Sequence, residues 1–119
     1  MERVRLGLIG AGKHGSRYAK HIVEDTPEAE LVAVCRRNRQ AGEQLVSTYG
    51  CVYYADYHTL LDAPDIDAVV IVVPPALHPH IVAAACQHGK HILIEKPLAV
   101  SVAEGRLICD NITASGVRC

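Results

Sequence analysis

Apolar residues recur along the chain in two alternating rhythms. "VRLGLIG" (Val4 to Gly10) is a short β-prone run that stops at glycines, and "KHGSRYAKHIVED" then sets Tyr18, Ile22 and Val23 at helical spacing ahead of Pro27. The pattern predicts a strand, a tight turn and a helix. "AELVAVC" (Ala29 to Cys35) reads as a second strand, and "RQAGEQLVSTYG" as a helix with Leu45 and Val46 inward and Gly50 as its stop. "CVYYA" is a short third strand, and Asp56 can cap the brief helix "YHTLLDA". "DAVVIVV" (Asp67 to Val73) is a continuous run rich in β-branched residues, as expected of a strand covered on both faces.

"PPALHPHIVAAACQHG" predicts the next helix, with Pro79 near its first turn and Gly89 at its exit. "HILIE" follows as a fifth strand. "SVAEGRLICDNITASG" then has Ser101 and Glu104 in capping-box spacing and Gly116 as terminator. Five β-α units in succession predict an α/β fold, a Rossmann-type, doubly wound parallel sheet in a single domain spanning residues 1–119. The closing "VRC" reads as the start of a sixth strand, so the chain is expected to be the front part of something longer, cut before a further domain. An unpaired fifth-strand edge left by such a cut would invite self-association.

Charge and composition narrow the partners. A length of 119 residues suits one compact domain. A net charge of −1 with no dense Lys/Arg run argues against nucleic acid or an anionic membrane as partner, and points to small molecules. No apolar stretch has the length of a membrane span, and the N-terminal one is broken too early for a signal peptide. The five cysteines (Cys35, Cys51, Cys86, Cys109, Cys119) lack a C-x-x-C pair, which fits a reduced, cytoplasmic setting and cysteines that serve as small buried hydrophobes. The histidines show no metal-ligand spacing backed by Cys or carboxylates, and no metal is expected.

Chemistry concentrates where strands end. Gly10, Gly12 and Gly15 stand in G-x-G-x-x-G spacing between the first strand and first helix. In that setting the first glycine makes the turn, the second lets backbone approach a pyrophosphate, and the third lets helix and strand pack closely. The helix N-terminus offers free N–H groups to the phosphates, and Lys13 and His14 lie within the same turn. The bland alternative is a purely structural glycine turn. About 20 residues further on, a dinucleotide site usually carries an acid for the ribose hydroxyls. Here Arg36, Arg37 and then Arg39 stand instead. A guanidinium can hold a 2′-phosphate that an acid would repel, which predicts NADP in preference to NAD; a solvated basic turn that leaves NAD usable is the alternative.

Ligands of a doubly wound sheet sit beyond the carboxyl ends of its strands. "PPALH" (Pro74 to His78) leaves the fourth strand there, and Glu95, Lys96 and Pro97 leave the fifth. Glu95 and Lys96 could be no more than an exposed ion pair, and His78 no more than a helix-start residue. The motifs "GAGKHG" and "VVPPALHPHIVAAACQHGKHILIEKPLA", in that order, resemble the N-terminal domain of the glucose-fructose oxidoreductase / inositol 2-dehydrogenase / rhizopine-catabolism family of NAD(P)-dependent dehydrogenases.

The resemblance implies a Rossmann domain, normally followed by a larger α/β domain that holds most of a sugar, polyol or related substrate. It implies that Lys96 is the catalytic lysine, near the nicotinamide ribose and the substrate hydroxyl. It further implies that Pro97 sits in an unusual, often cis, peptide geometry, and that Pro74, Pro75 and His78 line the nicotinamide half of the cleft beside Glu95. Arg36 departs from the acid that many members carry. A nucleotide sensor without turnover, and a member that uses bound NAD transiently in hydrolysis or elimination, are the rival readings; Lys96 favours an enzyme, since a sensor needs the glycine turn but not a lysine there.

Overall fold

The computed structural model describes residues 2–10 and 12–119. Strands and helices alternate along it: β1 (Val4–Ile9), α1 (Lys13–Asp25), β2 (Ala29–Cys35), α2 (Arg39–Tyr49), β3 (Val52–Tyr54), α3 (Tyr57–Asp62), β4 (Ala68–Ile71), α4 (His78–Gln87), β5 (His91–Ile94) and α5 (Val102–Ser115). The five strands form one sheet in the order β3-β2-β1-β4-β5, and all pairings are parallel. The order reverses direction at β1, whose two neighbours are β2 and β4. Such a reversal opens a crevice at the carboxyl edge.

Side-chain alternation divides the core between the two sheet faces. Leu8, Leu31, Val34 and Val70 pack with Ala19 and Ile22 of α1 and with Leu45 and Val46 of α2. Ile9, Cys35, Val69 and Ile71 pack on the other face with Leu60, Leu61, Ile81, Val82 and Ile108 from α3, α4 and α5. Burying each such aliphatic side chain contributes about 1.5–3 kcal/mol. Val69, Val70 and Ile71 are all buried, as expected of a strand covered on both faces.

Several elements depart from the pattern reading. On α1 the buried stripe runs through Gly15, Ala19 and Ile22 with Tyr18 half-buried, while Val23 is exposed. Val23 follows Ile22 by one residue and so lies about 100° round the helix. β4 ends at Ile71 although the apolar run continues to Val73; Val72 still donates its N–H to the Ile9 carbonyl, and Pro75–Leu77 then form a 3₁₀ turn that starts α4. The capping box at α5 is half made. Ser101 accepts from the Glu104 N–H, but Glu104 Oε2 is buried without a partner among the described residues. Residues 117–119 form no strand, although Arg118 accepts a hydrogen bond from the Ile92 N–H of β5. No helix among the described residues is long and apolar enough to cross a membrane.

Candidate functional site

A row of main-chain hydrogen bonds laces the strand ends together. Gly10 donates to the Cys35 carbonyl at 2.8 Å, Val72 to Ile9 at 2.9 Å and Glu95 to Ile71 at 3.0 Å. The row brings the basic turn after β2, the glycine turn after β1, the proline turn after β4 and the Glu-Lys-Pro segment after β5 to one edge of the sheet. The order β2-β1-β4-β5 is also the order in which they lie along that edge.

Gly10 and Gly12 serve this edge for different reasons. Gly10 has φ +86°, and a Cβ on it would lie 2.2 Å from the Val72 carbonyl oxygen and 2.6 Å from Val73 Cγ1. Only glycine lets the β1 exit lie against the β4 exit. A Cβ on Gly12 would meet no atom within 4 Å, so packing among the described residues does not demand glycine there. An open approach to backbone, at a helix start, is what a pyrophosphate requires. Gly12 is the N-cap of α1, which has no side-chain cap and no acid in its first turn. By contrast, α2, α3 and α5 are capped by Asn38, Asp56 and Ser101. The residues present therefore fit a bound dinucleotide. Gly15 is buried and His14 is exposed on α1; the side chain of Lys13 lies outside the described residues.

At the β2 end Arg36 is half-buried and Arg37 exposed, and neither has an ion-pair partner among the described residues. The Tyr53 hydroxyl donates to the Arg36 carbonyl at 2.8 Å, fixing the turn from β3. Arg39 is engaged elsewhere: it lies over the Tyr53 ring and donates to Glu43 at 3.2 Å. Asn38 caps α2 by accepting from the Ala41 N–H. The turn thus offers two free guanidinium groups and no carboxylate.

At the other end Pro74 is exposed, Pro75 is half-buried and Lys96 is exposed. The Lys96–Pro97 peptide is cis. Glu95 accepts a hydrogen bond from the hydroxyl of Tyr18, on α1. The bond to Glu95, then burial, then the Glu95 charge push the Tyr18 phenol above its ordinary range. His78 does not line the cleft. Its side chain is 1% exposed, with Nδ1 2.8 Å from the Leu98 carbonyl oxygen and Nε2 3.2 Å from that of Val73. Both ring nitrogens face backbone carbonyls, and the ring N–H donates to one of them, so His78 braces the wall from behind. The roles of Tyr18, Tyr53 and the His78 brace were not visible in the sequence; each joins positions far apart in the chain, and no local spacing marks them.

Among the described residues no group of three or more His, Cys, Asp or Glu side chains is placed to hold a metal ion. The family model described as "Oxidoreductase family, NAD-binding Rossmann fold" matches residues 4–119. Over 118 residues the chain is 34% identical to scyllo-inositol 2-dehydrogenase (NAD(+)) of Bacillus subtilis (strain 168), covering 98% of this chain and 34% of that protein. The crystal structure of myo-inositol 2-dehydrogenase from Lactobacillus plantarum superposes with a TM-score of 0.90 at 30% identity, covering 96% of this chain and 34% of the other. A 3-ketoreductase from Actinomadura kijaniata, in complex with NADP and TDP-benzene, gives 0.89 at 28% identity, over 98% of this chain and 36% of that one. The chain spans about a third of the length of these relatives.

Proposed function

The chain belongs to the oxidoreductase family with an NAD-binding Rossmann fold, and from that premise we propose that it is the cofactor-binding part of a dehydrogenase or ketoreductase that prefers NADP and acts on a sugar or polyol. The observation that carries the cofactor choice is the pair of unpaired guanidinium groups, Arg36 and Arg37, where an acid for the ribose is usual. The α1 N-terminus, opened by Gly12, holds the pyrophosphate on its free N–H groups. Arg36 and Arg37 hold a 2′-phosphate. Pro74, Pro75 and Glu95 flank the far end, with His78 behind them. A nicotinamide dinucleotide, when bound, supplies hydride transfer. Lys96 takes the proton from a substrate hydroxyl in one direction and returns it to the carbonyl oxygen in the other.

Relatives named for inositol and for a keto group, one NAD-linked by name and one solved with NADP, support a polyol or sugar substrate and either cofactor. Residues beyond this chain complete the substrate pocket in this reading, so the chain alone binds cofactor without turnover. Self-association through the β5 edge belongs to the same reading; Leu93 there is 56% exposed, while Arg118 already takes the Ile92 N–H of that edge. Calorimetric titration tests the cofactor choice. Charge-assisted bonds of about 1.5–3 kcal/mol correspond to roughly ten- to a hundredfold tighter binding of NADP than of NAD. Arg36→Asp should shrink that gap, and equal affinities for the unsubstituted chain would remove the preference.

A further inference from the structure

Glu95 and Lys96 are adjacent at the end of β5, yet their charges do not meet. The Tyr18 hydroxyl donates to Glu95 Oε2 across 77 positions of sequence. Among the described residues Lys96 has no carboxylate within ion-pair distance. Glu95 is half-buried with Tyr18 while Lys96 is exposed. A carboxylate beside a lysine stabilises the ammonium form and so opposes loss of its proton. An acid next in sequence would do this to Lys96 unless something held it elsewhere.

We propose that Tyr18 is a positioning residue for Lys96: by holding the Glu95 carboxylate against α1 it keeps that carboxylate off the lysine and leaves the amine free to exchange a proton with substrate. Tyr18 lies on the helix whose N-terminus is opened by the glycine turn. The same helix that takes the phosphates therefore also sets the electrostatic surroundings of the lysine. The inference rests on the reading of Lys96 given above, and extends it to a residue that acts through Glu95.

The test reads the amine directly, without turnover. Acetylation of Lys96 by an N-hydroxysuccinimide ester is followed by peptide mass spectrometry on the folded, cofactor-free chain at one mildly alkaline pH and low salt. Tyr18→Phe releases the carboxylate toward Lys96, and a unit charge about 5 Å away in water slows acetylation about fourfold. High salt, about 1 M, should abolish that difference. Adding Glu95→Gln to Tyr18→Phe should restore the rate, a rescue that a merely structural role for Tyr18 would not give. Glu95→Gln alone should leave the rate as it is in the unsubstituted chain.

If Tyr18→Phe folds and labels at the original rate, the proposal fails. It fails as well if Glu95→Gln alone speeds labelling about fourfold, because Glu95 would then already be paired with Lys96; this arm decides the matter even where Tyr18→Phe does not fold. Labelling needs no catalysis, so a failure here counts against Tyr18 and not against Lys96, whose role is decided by turnover.

Discussion

His78 reaches the carbonyl oxygen of Leu98 at 2.8 Å from inside the protein and, through its other ring nitrogen, that of Val73 at 3.2 Å. One buried ring thereby ties the exit of β4 to the segment that carries Lys96. Removing it strands the carbonyl that the ring N–H serves and leaves a cavity. His78→Ala should destabilise the chain by about 1–3 kcal/mol for the lost hydrogen bonding alone, measured by urea unfolding. If it instead loses cofactor affinity with no change in unfolding midpoint, His78 lines the cleft after all.

The two turn glycines should separate stability from binding. Gly10→Ala forces an alanine to φ +86° with its Cβ on the Val72 carbonyl, and strain of that kind costs of order 1–3 kcal/mol before the overlap is counted. Gly12→Ala changes only the N-cap preference of α1, within about 1 kcal/mol. Its methyl group projects into the space where phosphates would lie. Paired urea melts and cofactor titrations should show Gly10→Ala failing in the first, and Gly12→Ala failing in the second by about tenfold or more, equivalent to about 1.4 kcal/mol.

What the sequence made legible and what it hid follow from range. The alternation of β and α, the glycine turn and the caps by Asp56 and Ser101 are local patterns, set within a few residues, and the structure carries them. The apolar run overshoots the exit of β4 because Val72 and Val73 are as apolar as the strand before them. Only the approach of the glycine turn and the proline turn shows where pairing stops. The Tyr18–Glu95 and His78–Leu98 contacts span 77 and 20 positions. Periodicity cannot register such pairs, so the residues around Lys96 were visible in kind but not in arrangement.

At the opposite edge of the sheet, Arg5 holds Asp67 through its backbone N–H and its guanidinium, with side-chain contacts at 3.2 and 3.0 Å. The Arg5 side-chain hydrogen bond, then its backbone N–H, lower the Asp67 carboxyl below its usual range. A carboxyl with a depressed folded value adds stability fully above its unfolded pKa, about 3.9, and loses it as the pH falls through the folded value. Asp67→Asn should therefore melt slightly lower near neutral pH and converge with the unsubstituted chain in strong acid. The gap should be small and salt-sensitive, because the two side chains are 44% and 39% exposed. A gap that widens in acid would contradict the assignment.

The thiols should report the packing of both faces. Burial, with a lesser contribution from the Asp56 charge, pushes the Cys35 thiol up to about 11, and burial also raises Cys51. Cys109 and Cys119, on α5 and at the chain end, are exposed rather than the small buried hydrophobes their type suggests. Burial, then Cys109 and Cys86, raise the Cys119 thiol as well, so under a mildly alkaline disulfide reagent Cys109 should react first while Cys35 and Cys51 wait for unfolding, since the thiolate is the nucleophile. Rapid reaction of Cys35 in the native chain would show that the β2 end opens readily.

Lys96 carries the largest functional claim, and its test needs a protein of the relatives' length, since this chain spans about a third of them. Under the proposed reading residues outside this chain help position the reacting atoms, so the chain itself should bind cofactor and turn over no polyol. In the longer protein Lys96→Ala should lower kcat by about 10² or more, the scale of a removed general acid/base, while leaving cofactor affinity within about threefold. Lys96→Arg should fail as well, because a guanidinium keeps the positive charge but does not release its proton. Uniform loss of both kcat and cofactor affinity would point to a collapsed edge rather than to chemistry. Near-full kcat for Lys96→Ala at saturating cofactor would reduce Lys96 to a solvated side chain beside a turn.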